Sequence, residues 1–482
     1  MSKSVLLERV LATSMPAKNS YQILDPSSGS VIASVLNSTD KDDVKRVIEV
    51  ASNYSTPSAK DRSEMLCRWN RLVLENADDL ASIATLESGK PLREAKGEVA
   101  YAASFIQYFA HEALRATGDT IPSPHLQNKT RLWTVKQPIG PCALITPWNF
   151  PLAMATRKLG PALAAGNSCI LKPAPETPLS ALALKLLANV AGIPNDAFQV
   201  LTADREYSKD VVGAELMRDS RIRKVSFTGS SAAGISLMEQ AAKSVKRVSM
   251  ELGGNAPFIV FDDANIDKAV EGCMIAKFRN AGQTCISINR IYVHSKIHDK
   301  FVAKLSHRMQ SLKVGNGFDS TTTVGPLITS SSVSLVRALV HDSIAFGAIL
   351  EFQTQLPEKV MKSGGFFSPP TLLTNVTDDM PIFQSEIFGP VVGVSRFECE
   401  EEVLKRANDT RYGLAGYVYT QDIGRLHRVS EGLAVGMVGV NESAISSEVT
   451  PFGGVKLSGI GREGSKQGID EYLDTKYVCL GL

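Results

Sequence analysis

From residue 40 to residue 115, Ala, Leu, Glu and Lys recur at three- and four-residue spacings, the period of amphipathic helices. The register then changes. Residues 131–136 alternate apolar and polar side chains and predict an extended strand. Past residue 140, short apolar runs alternate with helical patterns. Strands are expected at 142–146, 168–171, 198–201 and 225–227, and helices at 154–165, 178–191 and 231–244. This spacing predicts a parallel sheet covered on both faces. A second α/β block starts near Asn255 with a strand at 258–261 and continues through 291–293, 391–394 and the glycine-rich segment 432–440. The tail, 468–482, returns to strand-like residues at 476–479. A lone terminal strand needs an edge, and the 131–136 ribbon, of this chain or of a neighbour, offers one.

At 482 residues the chain is too long for one compact domain. It is 44% hydrophobic and 21% charged, ordinary for a globular protein with ample core. A formal net charge of +2 gives no warrant for nucleic-acid or acidic-membrane binding. No apolar run approaches the roughly 18 residues of a membrane span. The seven cysteines are scattered and never spaced as C-x-x-C, which suits a reducing compartment. At the N-terminus, Val5-Leu6-Leu7 is too short for a secretory signal and Glu8 is unusual in a mitochondrial one, so a cytoplasmic location is expected. His294 and His298 stand four apart, yet no acidic third ligand accompanies them; two solvated histidines and no metal site are expected.

Four segments carry candidate chemistry. Cys285 ends Arg279-Asn280-Ala281-Gly282-Gln283-Thr284-Cys285, among small and amide-bearing neighbours rather than in an apolar run. A thiol that attacks a carbonyl must become a thiolate, and the upstream carboxylate Glu251 can take the proton directly or through a water. Thr228-Gly229-Ser230 leaves a predicted strand and opens a predicted helix, where glycine admits backbone N–H groups to a phosphate. Such turns also use glycine for steric reasons alone. Thr146-Pro147-Trp148-Asn149 is a stiff loop at the carboxyl end of a strand, where parallel sheets place ligands. Asn149 is either a donor to an oxyanion or a helix cap. Lys172 ends the next strand, either to reach solvent or to meet ribose or phosphate.

Together the segments resemble the aldehyde dehydrogenase superfamily over roughly residues 20–482. The motifs are Trp148-Asn149-Phe150-Pro151, Lys172-Pro173-Ala174, Phe227-Thr228-Gly229-Ser230, Glu251-Leu252-Gly253-Gly254, Gly282-Gln283-Thr284-Cys285, Glu386-Ile387-Phe388-Gly389-Pro390 and Pro451-Phe452-Gly453-Gly454. The resemblance implies a Rossmann-type cofactor domain (1–124 and 140–254), an α/β catalytic domain (255–440) and a small oligomerisation β-ribbon (125–139 and 465–482). It implies Cys285 as nucleophile, Asn149 as oxyanion donor and Glu251 as base. Thr146, Trp148, Lys172, Pro175, Gly229, Ser230, Gly234, Leu252, Glu386 and Phe388 would surround NAD or NADP. Assembly as a homodimer or homotetramer is implied as well.

Within that family the chain is most similar to succinate-semialdehyde dehydrogenases, through Ala155-Thr156-Arg157-Lys158-Leu159-Gly160, Lys277-Phe278-Arg279-Asn280 and Ile445-Ser446-Ser447. There, residues matching Arg157, Arg279 and Ser446 hold the substrate's distal carboxylate. The planar fork of Arg suits a carboxylate, although either Arg also reads as a structural ion pair. The implied reaction oxidises succinate semialdehyde to succinate with NAD(P)+, in 4-aminobutyrate breakdown. Glutarate semialdehyde, or a cofactor-independent thiol hydrolase, are the alternatives. Two departures matter. Pro175 stands where many NAD-preferring relatives carry Glu, with Glu176 one step on, which opens the site to NADP. Ser287 stands where some relatives carry a second cysteine, so that redox pair cannot form.

Overall fold

The computed structural model describes residues 5–12, 19–124 and 129–481. The ribbon expectation at 125–128 and much of the N-terminal segment (1–4 and 13–18) lie outside these; 5–12 form the helix Val5–Ala12. The helical stretch after residue 40 resolves into Lys41–Ser52, Ala59–Glu75, Ala77–Ser88 and Leu92–Glu112.

A six-stranded sheet runs, in spatial order, Gly459–Ile460, Arg247–Glu251, Lys224–Thr228, Cys142–Ile145, Cys169–Lys172, Phe198–Val200. All its pairings are parallel except that of the short outermost strand Gly459–Ile460. Its central strands Cys142–Ile145, Cys169–Lys172 and Lys224–Thr228 are buried along their whole length because both faces are covered. Leu144 and Leu171 join a core with helices Ala59–Glu75, Leu92–Glu112 and Pro151–Ala164. Ala143, Ile145, Ile170, Val225 and Phe227 point the other way, onto helices Lys41–Ser52 and Ser231–Ala242. The chain steps outward from Cys142–Ile145 to Phe198–Val200, then returns to the other side of Cys142–Ile145 with Lys224–Thr228. Strand order reverses there, and a crevice opens between the loops after Ile145 and Thr228.

The seven-stranded second sheet runs Ile349–Gln353, Thr371–Thr374, Val391–Phe397, Ile288–His294, Ala256–Val260, Ala415–Tyr419, Met437–Val440, with only the first pairing antiparallel. The segment 432–440 is therefore not one strand: Gly432 ends the helix Ile423–Gly432, and pairing starts at Met437. Residues 441–464, assigned to neither domain from sequence, return to the first sheet through Gly459–Ile460. The tail strand Leu473–Gly481 pairs antiparallel with Thr130–Pro138 of the same chain, Lys476 opposite Val135. Thr120–Ile121 completes that ribbon.

Candidate active site

Two sheet ends face each other across the site. From the first sheet come carboxyl-end loops: Thr146 to Phe150, Thr228 to Ser230, and Leu252 with Gly253 beyond the strand Arg247–Glu251. From the second come segments just before strands: Cys285 ahead of Ile288–His294, and Glu386 and Phe388 ahead of Val391–Phe397. A cavity of about 570 Å³ lies between them. Cys285, Asn149, Trp148, Gly229, Ser230, Leu252, Glu386 and Phe388 line it, as do Arg157, Arg279 and Ser446. Thr146, Lys172, Pro175, Gly234 and Glu251 do not.

The cysteine loop is held in an unusual backbone. After the helix Ile266–Phe278, Asn280, Ala281 and Gly282 have φ of 51°, 54° and 77°. A left-handed non-glycine residue is uncommon and costs energy, so neighbours must enforce it. They do so on several sides. The Gln283 amide donates to Asn280 O (3.1 Å) and Pro326 O (3.3 Å) and accepts from Ile328 N (2.9 Å). The Tyr417 hydroxyl donates to Ile286 O at 2.8 Å. At Gly282 only hydrogen fits, since a Cβ would lie 2.3 Å from Gly389 O. Asn149 faces this loop. Its Nδ2 donates to Gln283 O at 3.0 Å, which fixes the amide and leaves its second N–H for another acceptor.

Electrostatics divide the ionisable groups. Burial pushes the Cys285 thiol up to about 12; Arg157 pulls it down, while Glu386 and Glu251 push it further up. Glu251 is buried at the end of its strand, with Oε2 lacking a hydrogen-bond partner among the described residues. Burial first and the Glu463 carboxylate second hold it well above the usual carboxylate range. Burial would raise Glu463 too, but Lys158 and Arg157 outweigh that and bring it below. Arg157 pairs with Glu463 at 2.7 Å beneath the Phe452 ring, so its charge is matched before any ligand arrives. Arg279 differs. It is exposed to the cavity, lies 5.3 Å from the Phe150 ring centroid and makes no ion pair among the described residues.

The dinucleotide positions also differ among themselves. Lys172 does not reach solvent: it is buried, burial lowers it to about 8, and among the described residues it makes no ion pair. Pro175 is half-buried beside it, and Glu176 pairs with Arg205 at 3.4 Å. Thr146 donates its N–H to Lys172 O at 3.1 Å, tying two strand ends together. Thr228 Oγ1 is buried in the cavity wall and has no hydrogen-bond partner among the described residues. Ser230 caps the helix Ser231–Ala242 by accepting from Ala233 N. Gly234 serves packing, as a Cβ there would stand 2.3 Å from the Leu252 side chain. Glu386 accepts from Gly254 N at 3.0 Å and is raised to about 7 by burial, with Lys277 opposing. Among the described residues, a hydroxyl without a partner and a half-buried carboxylate on the cavity wall, with a buried cation that makes no ion pair at the end of the neighbouring strand Cys169–Lys172, fit the phosphates and hydroxyls of a dinucleotide.

The histidine expectation needs correction. His294 and His298 are both buried rather than solvated: His294 caps the helix Ser295–Met309 and His298 meets Asp299 at 3.0 Å. Among the described residues no group of His, Cys, Asp and Glu is placed to hold a metal. Sequence reasoning missed Tyr101, which lines the cavity, hydrogen-bonds Ser446 and meets Phe105 edge-on with ring centroids 4.8 Å apart. It missed Lys90 and Glu98 as well. One signal was present: Glu98 puts a carboxylate in the apolar stripe between Ala95 and Ala102.

Parallel sheets that meet end to end over a cavity, with a strained cysteine loop on its wall, define a ligand-binding α/β enzyme framework. The chain belongs to the aldehyde dehydrogenase family, whose model matches residues 13–478. It is 50% identical to a glutarate-semialdehyde dehydrogenase of Pseudomonas putida over 96% of this chain and 94% of the relative. It is 49% identical to an NADP(+) succinate-semialdehyde dehydrogenase of Escherichia coli over 95% and 94%. The crystal structure of succinate-semialdehyde dehydrogenase from Burkholderia pseudomallei superposes with a TM-score of 0.92 at 48% identity, covering 96% of this chain and 95% of that one.

Proposed function

We propose that this protein oxidises succinate semialdehyde to succinate with NAD(P)+. One observation carries the reading: Cys285 lines a cavity whose wall also holds Arg279, a cation that makes no ion pair among the described residues. The Cys285 sulfur adds to the aldehyde carbon, and the thiol proton passes to Glu251 directly or through a water. Because burial holds the thiol near 12, the base is needed as the S–C bond forms. The carbonyl oxygen becomes an oxyanion that accepts from the free N–H of Asn149 Nδ2 and from the Cys285 backbone N–H. The nicotinamide ring, when bound, supplies the two-electron acceptor for the hydrogen on that carbon. What remains on Cys285 is a thioester. Glu251 passes the thiol proton on to solvent and, as carboxylate again, takes a proton from water; the water adds to the thioester carbon, and the thiolate leaves as the carboxylic acid forms.

Lys172, Glu386, Gly229 and Ser230 would hold the dinucleotide, and Arg279 with Arg157 and Ser446 the distal carboxylate. Pro175 offers no carboxylate to repel a 2′-phosphate, which supports NADP at least as well as NAD. The first sheet serves as the cofactor domain and the second as the catalytic domain. The ribbon supports a homodimer or homotetramer, and seven unbonded cysteines support the cytoplasm. Among the described residues no helix is long and apolar enough to cross a membrane. Glutarate semialdehyde stays as a second reading, because a 50% identical relative bears that name and one methylene is worth only about 1–3 kcal/mol. Steady-state kinetics on acid semialdehydes of increasing length, each with NAD and with NADP, test the proposal. The four-carbon acid is expected to give the highest kcat/KM; equal turnover of a neutral aldehyde of that length would contradict it.

A further inference from the structure

Behind the oxyanion loop lies a buried ion pair that the reaction just described does not use. Lys90, in the turn after the helix Ala77–Ser88, and Glu98, on the helix Leu92–Glu112, are in contact with both side chains fully buried. Neither is bound only to the other. Lys90 Nζ donates to the backbone carbonyl of Asn149 at 2.7 Å and stands 4.3 Å from the Phe150 ring centroid. Glu98 Oε1 accepts from the backbone N–H of Leu152 at 2.8 Å and of Ala153 at 3.3 Å, in the first turn of the helix Pro151–Ala164. The pair therefore grips the chain on both sides of Phe150, one partner by a carbonyl and the other by amides.

The Asn149 carbonyl also accepts from Asn280 Nδ2 at 2.9 Å, and that same amide nitrogen lies 3.2 Å from Gln283 O. Gln283 O is the acceptor that orients the Asn149 side chain. Lys90 thus fixes the peptide of a residue whose side-chain amide is aimed by the cysteine loop, and Asn280 links the two. Burying an ion pair is costly, and removing one partner leaves an uncompensated buried charge, so the pair holds its neighbours in one arrangement. We propose that Lys90, backed by Glu98, is a positioning residue for the oxyanion site: it sets the distance and angle of the Asn149 amide relative to Cys285. A misplacement of about 1 Å at such a donor costs on the order of 100-fold in rate.

The proposal rests on Asn149 acting as oxyanion donor, so the test separates the two claims. The single-turnover rate of cofactor reduction with succinate semialdehyde is measured in a double-mutant cycle of Lys90→Met and Asn149→Ala, alongside the cofactor Kd. Because Lys90→Met strands a buried carboxylate, the cycle is repeated with the charge-balanced pair Lys90→Met and Glu98→Gln. In the Asn149-containing enzyme, loss of Lys90 is expected to slow the single turnover by at least about tenfold with cofactor Kd unchanged. In the Asn149→Ala enzyme the same change is expected to have almost no further effect. Additive losses, a fall in cofactor affinity matching the fall in rate, or failure of the charge-balanced variant to fold would each assign the pair a structural role and overturn the proposal. If Asn149→Ala alone leaves the rate intact, the oxyanion reading fails instead.

Discussion

Arg157 and Arg279 look alike in the sequence and differ in the fold. Arg157 is buried, paired with Glu463 and covered by Phe452, whereas Arg279 faces the cavity and makes no ion pair among the described residues. An anion entering the cavity gains most from the charge that is still unmatched. Arg279→Leu is therefore expected to raise KM for succinate semialdehyde about 10- to 100-fold, the equivalent of about 1.5–3 kcal/mol for a charged hydrogen bond. A neutral aldehyde of the same length serves as the control, and an equal rise for both would give Arg279 a structural role. The sequence made the pair visible; it could not show that one partner is spoken for, because Glu463 is more than 300 positions away in the chain.

At the scale of elements, the cysteine loop shows how backbone serves chemistry. Asn280, Ala281 and Gly282 turn the chain left-handed between a helix and a buried strand, which throws Cys285 onto the cavity wall. Gly282→Ala meets both a positive φ and the Gly389 carbonyl, so it is expected to cost about 1–3 kcal/mol by urea unfolding and to abolish most activity. Gly347→Ala shares the positive φ but meets nothing within 4 Å, and should lose some stability while keeping its turnover. If Gly282→Ala kept full activity, the shape of the loop would not matter to the reaction. Motif residues announced this loop from sequence. Its geometry was hidden, since nothing local makes Ala281 left-handed; the anchoring of Gln283 on Pro326 and Ile328 does.

Over the whole molecule, periodicity revealed the alternating strands and helices, and the reversal between Cys142–Ile145 and Lys224–Thr228 places the crevice where such sheets bind ligands. Cys285 obeys no such rule, because it precedes its strand instead of following it. Only the meeting of two sheets explains its place. The return of Gly459–Ile460 to the first sheet was equally illegible, as two residues carry no period. Global stability should also register buried acids. Glu87, which accepts from Leu179 N and Ser180 N at the start of Pro178–Val190, is raised by burial to about 8. The folded state then holds a proton that the unfolded chain releases near its ordinary carboxylate value. Stability is expected to fall as pH rises from about 5 to about 8. A thermal midpoint series should show a shallower decline in Glu87→Gln, and identical slopes would show that Glu87 is ionised in the fold.

The account as a whole depends on a sulfur–carbon bond at Cys285, and mass spectrometry of the trapped enzyme reads that bond directly. Unmodified enzyme is mixed with excess succinate semialdehyde and NADP+, quenched in acid within the first turnover and digested. The expected result is a succinyl thioester on the peptide that carries Cys285, appearing with one equivalent of reduced cofactor. Cofactor reduced without that adduct, or an adduct on another cysteine, would contradict the account.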